Sequence, residues 1–332
     1  MQTIMHDDSM LRADDWVEVK SPAAIAQTLD ENGSLDGLPF MPEMAEMCGK
    51  RFRVMRQAEK TCFEVGHGAY TTREFLSNDV FLLKGLRCSG TSHDGCQRLC
   101  AIFWKRAWLK KVENGQATAA FASCEMADLT NKLKTKSSAT RYFCQSTELA
   151  KATEAEPIKR RSIIVKSLRD IRSGAVGAWE MIPLLIVPFA RKMRNRFLGK
   201  PRLLGNLRKT PVGNLQLQPG EIVEIKSIEE MRSTLDGDGR NRGLICDLEL
   251  RKFCGRKYRV LSRLDRMISE ATGEMRKVEG TVYLDGNLCM CAWSVGGCPR
   301  QEYCYWREVW LKRVDAGAEV KIEPGLWNQN PI

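Results

Sequence analysis

Thiols are the side chains most able to do chemistry in this 332-residue chain, which carries 13 cysteines against 3 histidines. Cys62 is followed by the run CSGTSHDGCQRLC, which supplies Cys88, Cys96 and Cys100. Four thiolates meeting at one point suit tetrahedral Zn²⁺, whose structural sites are all-Cys or Cys/His and closed to water. Seven residues separate Cys88 from Cys96 and three separate Cys96 from Cys100, while Gly90 and Gly95 allow tight turns around an ion. His93 lies inside this loop, either replacing one thiolate or sitting over an open position that would make the site catalytic. The expected metal set is therefore Cys62, Cys88, Cys96 and Cys100, with His93 as the alternative ligand and zinc as the ion. The plainer reading makes these cysteines small buried hydrophobes, since cysteine is among the most buried residue types. Cys48 and Cys254, each before a glycine at a strand start, suit that reading best.

A nucleophilic thiol needs only an adjacent base, so Cys62 or Cys96 with His67 or His93 is a further combination, weakened by the scarcity of histidine. Glycine-rich phosphate loops, GxSxG elbows, HExxH helices and strand-borne GxGxxG runs are absent from the sequence. The hydrophobic fraction of 43% with 28% charged residues is globular, which argues against a disordered chain or a polytopic membrane protein. The first twenty residues are acidic with no apolar core, so a cytoplasmic, reducing location is expected, where clustered thiols read first as metal ligands.

The elements that must position these thiols occur twice. WVEVKSPAAIAQTLDENGSLDGL from Trp16 matches IVEIKSIEEMRSTLDGDGRNRGL from Ile222 at an offset of 206, and Cys48-Gly49 falls on Cys254-Gly255. After a length change, Leu83 to Cys88 matches Leu284 to Cys289, and Cys96 to Val112 matches Cys298 to Val314. Trp16 to Lys20 and Ile222 to Lys226 alternate as strands with one buried face. Ser21 before Pro22, and Ser227 with Glu230, mark helix starts, and Gly33 and Gly239 mark the expected ends. Further strands are expected at Arg51 to Met55, Val80 to Leu86 and Phe103 to Val112, with counterparts at Lys257 to Leu261, Thr281 to Leu288 and Tyr305 to Val314. Short strands without repeated strand-helix crossovers favour a β-rich α+β fold with two duplicated small barrels of SH3-like kind, joined by a helical basic segment. The expected organisation is a tail at 1–13, repeat 1 at 14–112, a connecting region at 113–218, repeat 2 at 219–315 and a tail at 316–332.

The second copy keeps Cys289 and Cys298 but has Ile268 where the first has Cys62, and Glu302 where it has Cys100. Cys246, Cys291 and Cys304 have no counterparts. A rebuilt cluster of Cys289, Cys291, Cys298 and Cys304 competes with simple loss of a metal, and the substitutions favour loss. The runs IFWKRAWLKKV and CYWREVWLKRV set aromatics four apart among basic residues, a pattern that would stack bases but more often fills a core.

The net charge of +11 is confined to one region: Lys151 to Gly220 holds fifteen basic and four acidic residues, and the rest of the chain balances. Arg160, Arg161, Arg191, Lys192, Arg194 and Arg196 form this basic belt. The uncharged run Met181 to Ala190 is too short to span a bilayer and contains Pro183 and Pro188. The 158–198 segment either packs as a clamp across the barrels, the favoured reading, or lies in a membrane interface through Trp179, Leu184, Leu185 and Phe189.

Through LDGLPFMPEMAEMCGKRFRV, CSGTSHDGCQRLCAIFWKRAWL, RYFCQSTEL and CPRQEYCYWREVWLKRV, the chain resembles a bacterial Cys-rich tandem-repeat family with no established activity. That family is met beside genes for secondary-metabolite or polysaccharide assembly. The resemblance spans nearly the whole chain, and Cys48, Cys62, Cys88, His93, Cys96 and Cys100 match the family's pattern. Phe63 departs from the acidic residue usual there, which counts against a role needing a carboxylate beside Cys62. The expected function is a metal-binding, zinc-containing accessory protein or enzyme of a bacterial biosynthetic pathway. The alternatives are a nucleic-acid-binding module and a peripheral membrane protein, with biosynthetic partner proteins or an anionic surface as partners.

Overall fold

In the computed structural model the described residues are 11–66, 69–114, 121, 123–155, 168, 171, 177–198, 203–289, 300 and 302–314. Strand accounts for 34% and helix for 20%, and the fold is β-rich with a curled half-barrel sheet.

Alternation does the first step of folding. In Trp16–Val19 (β1) the side chains of Val17 and Val19 point into the core, as Val223 and Ile225 do from Ile222–Ile225 (β6). The first sheet adds Arg51–Gln57 (β2), Val80–Arg87 (β3), Ala101–Lys105 (β4) and Leu109–Val112 (β5), in the order β4-β3-β2-β1-β5. The second adds Lys257–Arg263 (β7), Thr281–Leu284 (β8), Trp306–Arg307 (β9) and Leu311–Arg313 (β10), in the order β9-β8-β7-β6-β10. Registers agree as well. Trp16 pairs with Arg53 and Ile222 with Arg259, and the register shifts along the second strand of each sheet, between Val54 and Arg56 and between Val260 and Ser262; the first sheet shifts again between Leu82 and Arg87.

The tryptophan-rich runs were expected as single strands. Each is broken by one 3₁₀ turn, Arg106–Trp108 and Glu308–Trp310, which carries the chain from one edge of its sheet to the opposite edge. Three residues reach across only if the sheet curls until its edges approach, as in barrel closure. Trp104, Trp108, Trp306 and Trp310 are wholly buried, so the aromatic stripe is core rather than a base-stacking face.

Ser21 caps the helix Pro22–Ala26, and Ser227 with Glu230 forms a capping box on Ile228–Arg232. Both helices are single turns that end well before Gly33 and Gly239. Thr28 and Thr234 bond back to the carbonyls of Ile25 and Met231, and their hydroxyls accept the indole N–H of Trp108 and Trp310 at 3.1 and 2.9 Å. This contact pulls the chain out of the helix onto the tryptophan. The glycines, at φ +73° and +75°, shape the next loop instead, which Asp30 and Asp236 hold through backbone N–H groups.

The connecting region is not a separate layer. Thr153–Ala155 pairs with the strand Ala69–Phe75, and the Gln145 carboxamide bonds both N–H and C=O of Phe103 on the outer edge of β4. Leu207 bridges to Asp236, and Leu215, Gln216 and Leu217 donate their backbone N–H groups to buried Glu308 at 3.0–3.1 Å. Arg160 and Arg161 lie outside the described residues. The helix Ala178–Leu198 runs through Pro183 and Pro188, each of which removes a backbone hydrogen bond. Among the described residues no helix is long and apolar enough to cross a membrane.

Glu308 thus ties the end of the connecting region to the second sheet, with Arg263 as its ion-pair partner at 3.1 Å. Glu308→Ala removes the acceptor of three N–H groups, that of Leu217 buried, and is expected to cost about 2 kcal/mol or more, measured by denaturant unfolding. Hydrogen exchange at Leu215 to Leu217 should rise with it; unchanged protection there would remove Glu308 from this role.

Candidate functional site

Between the sheets, two short strand pairs meet. One joins Lys60–Gly66 to Ala69–Phe75, and the other joins Arg266–Ile268 to Met275–Lys277. Two arginines at matched positions of the two units, Arg98 and Arg300, reach across this contact in opposite directions. Arg98 donates to the carbonyl of Ile268 at 3.2 Å, and Arg300 donates to the carbonyl of Cys62 at 3.3 Å. Ile268 and Cys62 are themselves matched positions. The Glu64 backbone N–H donates to the Glu270 carboxylate at 3.0 Å, which places a third matched pair on the same axis.

The charges are buried together. Arg98 stands 3.6 Å from Glu64, 3.4 Å from Glu270 and 3.6 Å from Glu302, while Arg300 contacts Glu270 closely and lies 3.1 Å from Glu302. Burial pushes the Glu270 carboxyl up, but the guanidinium groups of Arg300 and Arg98 outweigh it and hold it below the usual range. At Glu302 burial wins over the same two arginines, and its carboxyl is held above the usual range. Desolvation likewise pushes the phenols of Tyr70, Tyr283 and Tyr305 up, so they remain hydroxyl donors.

The thiols fall on two sides of Arg300. Cys88, Cys96, Cys100 and Cys144 line a small void of about 30 Å³ with Arg98, Ser146 and Arg300. Cys62 instead packs with Cys289 on the far side and faces a larger cleft. The four cysteines selected by spacing are therefore not gathered as one set, and Cys144 takes the place expected of Cys62. Among the described residues no group of three or more His, Cys, Asp or Glu side chains is arranged to hold a metal ion. Burial pushes the Cys144 thiol up to about 12, and raises Cys88 and Cys96 too, which disfavours thiolates in this void. Cys100 is 3.3 Å from the Ser146 hydroxyl and 3.6 Å from Arg300, and Cys96 accepts the Ile268 N–H at 3.4 Å.

His93 is not available as a ligand or a base. Its Nε2 meets the Phe143 carbonyl at 3.0 Å and its Nδ1 meets the Glu43 carboxylate at 2.7 Å. Both partners only accept, so both ring nitrogens carry hydrogen and the ring is an imidazolium. Burial opposes this charge, but Glu43 raises His93 above its ordinary 6.5, and His93 holds Glu43 below its ordinary 4.5. His67, Cys291 and Cys298 lie outside the described residues, so the second cysteine cluster is described only at Cys289 and Cys304, both on the cleft wall.

That cleft encloses about 910 Å³ between the units. Cys62, Glu64 and Tyr70 from the first unit meet Glu302 and Tyr305 from the second at its floor, and Arg208, Lys209, Arg240, Arg276 and Lys277 line its walls. A cavity of this size with convergent polar groups and a displaced carboxyl is a candidate ligand site. No family profile, curated protein or solved structure matches the chain, so no activity comes to this cleft from a relative. Sequence reading missed Arg98, Arg300, Glu64 and Glu270, although the two offsets that align the copies pair Arg98 with Arg300 and Glu64 with Glu270.

Breaking the cluster leaves a buried charge without its partner. Arg98→Met is expected to destabilise by about 3–5 kcal/mol, and Arg98→Met with Glu270→Leu by less than the two single changes added. Additive losses in denaturant unfolding would show that the groups are not coupled. For His93 the raised value gives stability that is fully present below 6.5 and is lost as pH rises through the folded value. For Glu43 the lowered value gives stability present above 4.5 and lost as pH falls through the folded value. The stability gap between the natural chain and His93→Gln should therefore be widest between these limits and narrow on the alkaline side; a gap flat with pH would contradict the imidazolium.

Proposed function

We propose that the chain binds an anionic, phosphate-bearing small molecule in the cleft between its two β units, in keeping with the biosynthetic setting implied by the resemblance. One observation carries this reading. Arg208, Lys209, Arg240, Arg276 and Lys277 line the cleft, and none of their side chains makes an ion pair with a described carboxylate. Glu64, Asp247, Glu279 and Glu302 also line the cleft, but cations outnumber them, and unpaired cations converging on a concave surface are matched by a ligand's charge. The volume suits a nucleotide-sized molecule rather than a duplex. At the floor, the Tyr70 and Tyr305 hydroxyls are groups that donate hydrogen bonds, fitted to the uncharged polar end of such a ligand.

The architecture proposed with it is a duplicated SH3-like unit. Its support is the shared strand order, the matched registers and the 3₁₀ turn before the last strand of each sheet.

Titration calorimetry with inorganic phosphate, pyrophosphate and a nucleoside diphosphate tests the reading. Affinity should rise along that series, and Arg276→Glu with Lys277→Glu should weaken the nucleotide by about tenfold or more, since each charge-assisted bond is worth about 1.5–3 kcal/mol. Equal affinity in the variant, or tighter binding of a single-stranded oligonucleotide with a steep salt dependence, would sink it.

Zinc at the thiols of the first unit remains a second reading, now on Cys88, Cys96, Cys100 and Cys144, because these four line one void. Their sulfurs would have to close to about 2.3 Å from the ion. Elemental analysis of the purified protein should then give one zinc per chain, lost in Cys144→Ser and kept in Cys62→Ser. Zinc absent from the natural chain ends this reading without touching the first.

A further inference from the structure

The helix Ala178–Leu198 was expected to clamp the two units, yet it leaves a full stripe of large apolar side chains uncovered. Trp179 is 85% exposed, Phe197 74%, Phe189 63% and Ile186 59%, with Ile182 and Met193 also exposed. These six positions follow one another at steps of three or four residues, which places them along one side of an α-helix. Met181 is buried, so the helix rests on the molecule through a different face. Monomeric proteins seldom expose such a contiguous patch without a partner for it.

Charge selects the partner. The helix has one acidic residue, Glu180 in its first turn, and its last two turns carry Arg191, Lys192, Arg194 and Arg196 with no acidic residue among them. A second copy packed parallel on the stripe would set the two basic helix ends side by side, which costs stability. A phosphate-rich bilayer surface meets the same arrangement with opposite charge. Aromatic and aliphatic residues along one side of a helix that also carries arginine and lysine are what a helix lying in a membrane interface requires. The helix is about 30 Å long by its rise per residue, and among the described residues none is apolar enough to cross a bilayer.

We infer that this helix lies in the plane of an anionic lipid surface, burying Trp179, Ile186, Phe189 and Phe197 among the acyl chains below the headgroups. The cleft is a separate site, so the protein docks on the bilayer through the helix and holds its soluble ligand elsewhere.

Flotation of the full-length protein with phosphatidylcholine vesicles, with and without phosphatidylserine, tests this. The natural chain should float with the anionic vesicles and stay behind with the neutral ones at moderate salt. Phe197→Asp and Phe189→Asp, both at exposed positions, should each reduce the partition by about tenfold or more, as loss of one buried aromatic predicts. Arg276→Glu with Lys277→Glu, which changes the cleft, should float as the natural chain does. Three outcomes overturn the proposal: no flotation on anionic vesicles, flotation lost in the cleft variant but kept in Phe197→Asp, or a lipid-free dimer that Phe197→Asp dissociates. Native circular dichroism of each variant, and unchanged nucleotide affinity in Phe197→Asp, separate failure of this inference from failure of the cleft reading.

Discussion

The reciprocal reach of Arg98 and Arg300 across the contact between the two β units is the constraint on which the rest depends. Each guanidinium leaves its own unit to meet a backbone carbonyl of the other, and both share Glu270. Taking a charge out of water costs several kcal/mol even after relaxation, so these groups are tolerable only while every partner stays in place. Sliding one unit on the other would separate both arginines from their acceptors at once. The cluster therefore sets the relative position of Cys62, Glu64 and Tyr70 on one side and Glu302 and Tyr305 on the other. Cleft width follows from that geometry, and so does the spacing of the cationic walls.

Sequence patterns revealed the parts governed by local physics. Alternation located β1 and β6, the serine caps located both helix starts, and the tryptophan spacing identified core. What failed was anything set by contacts distant in sequence. Helix ends were placed at glycines, whereas Thr28 and Thr234 end the helices one turn early through bonds to tryptophans about eighty residues away. The cysteines divide for the same reason: spacing put Cys62 with Cys88, Cys96 and Cys100, but Arg300, some two hundred residues on, bonds the Cys62 carbonyl and the Cys100 thiol, and Cys62 faces a different cavity. Arg98, Glu64 and Glu270 were overlooked because lone charges between strands normally read as solvated. The signal that would have found them was their coincidence under the two offsets that align the copies, since matched charges recurring in both are candidates for a shared contact.

Departures from matching are as informative as the matching. Had the second unit kept a thiol at the position of Cys100, the cluster would hold two guanidinium groups against Glu64 and Glu270 and would balance. Glu302 at that position adds a third carboxylate to two arginines already satisfied. Glu270 and Glu302 each contact both arginines, but Glu270 lies closer to them, so its carboxyl is held low while burial holds that of Glu302 high. Glu302 is also on the cleft floor, while Glu270 is not. A near-symmetric ion cluster with one substitution thus places a carboxyl of raised pKa against a basic cavity. The frame needs the two units to be alike, and the site exists because at this position they differ.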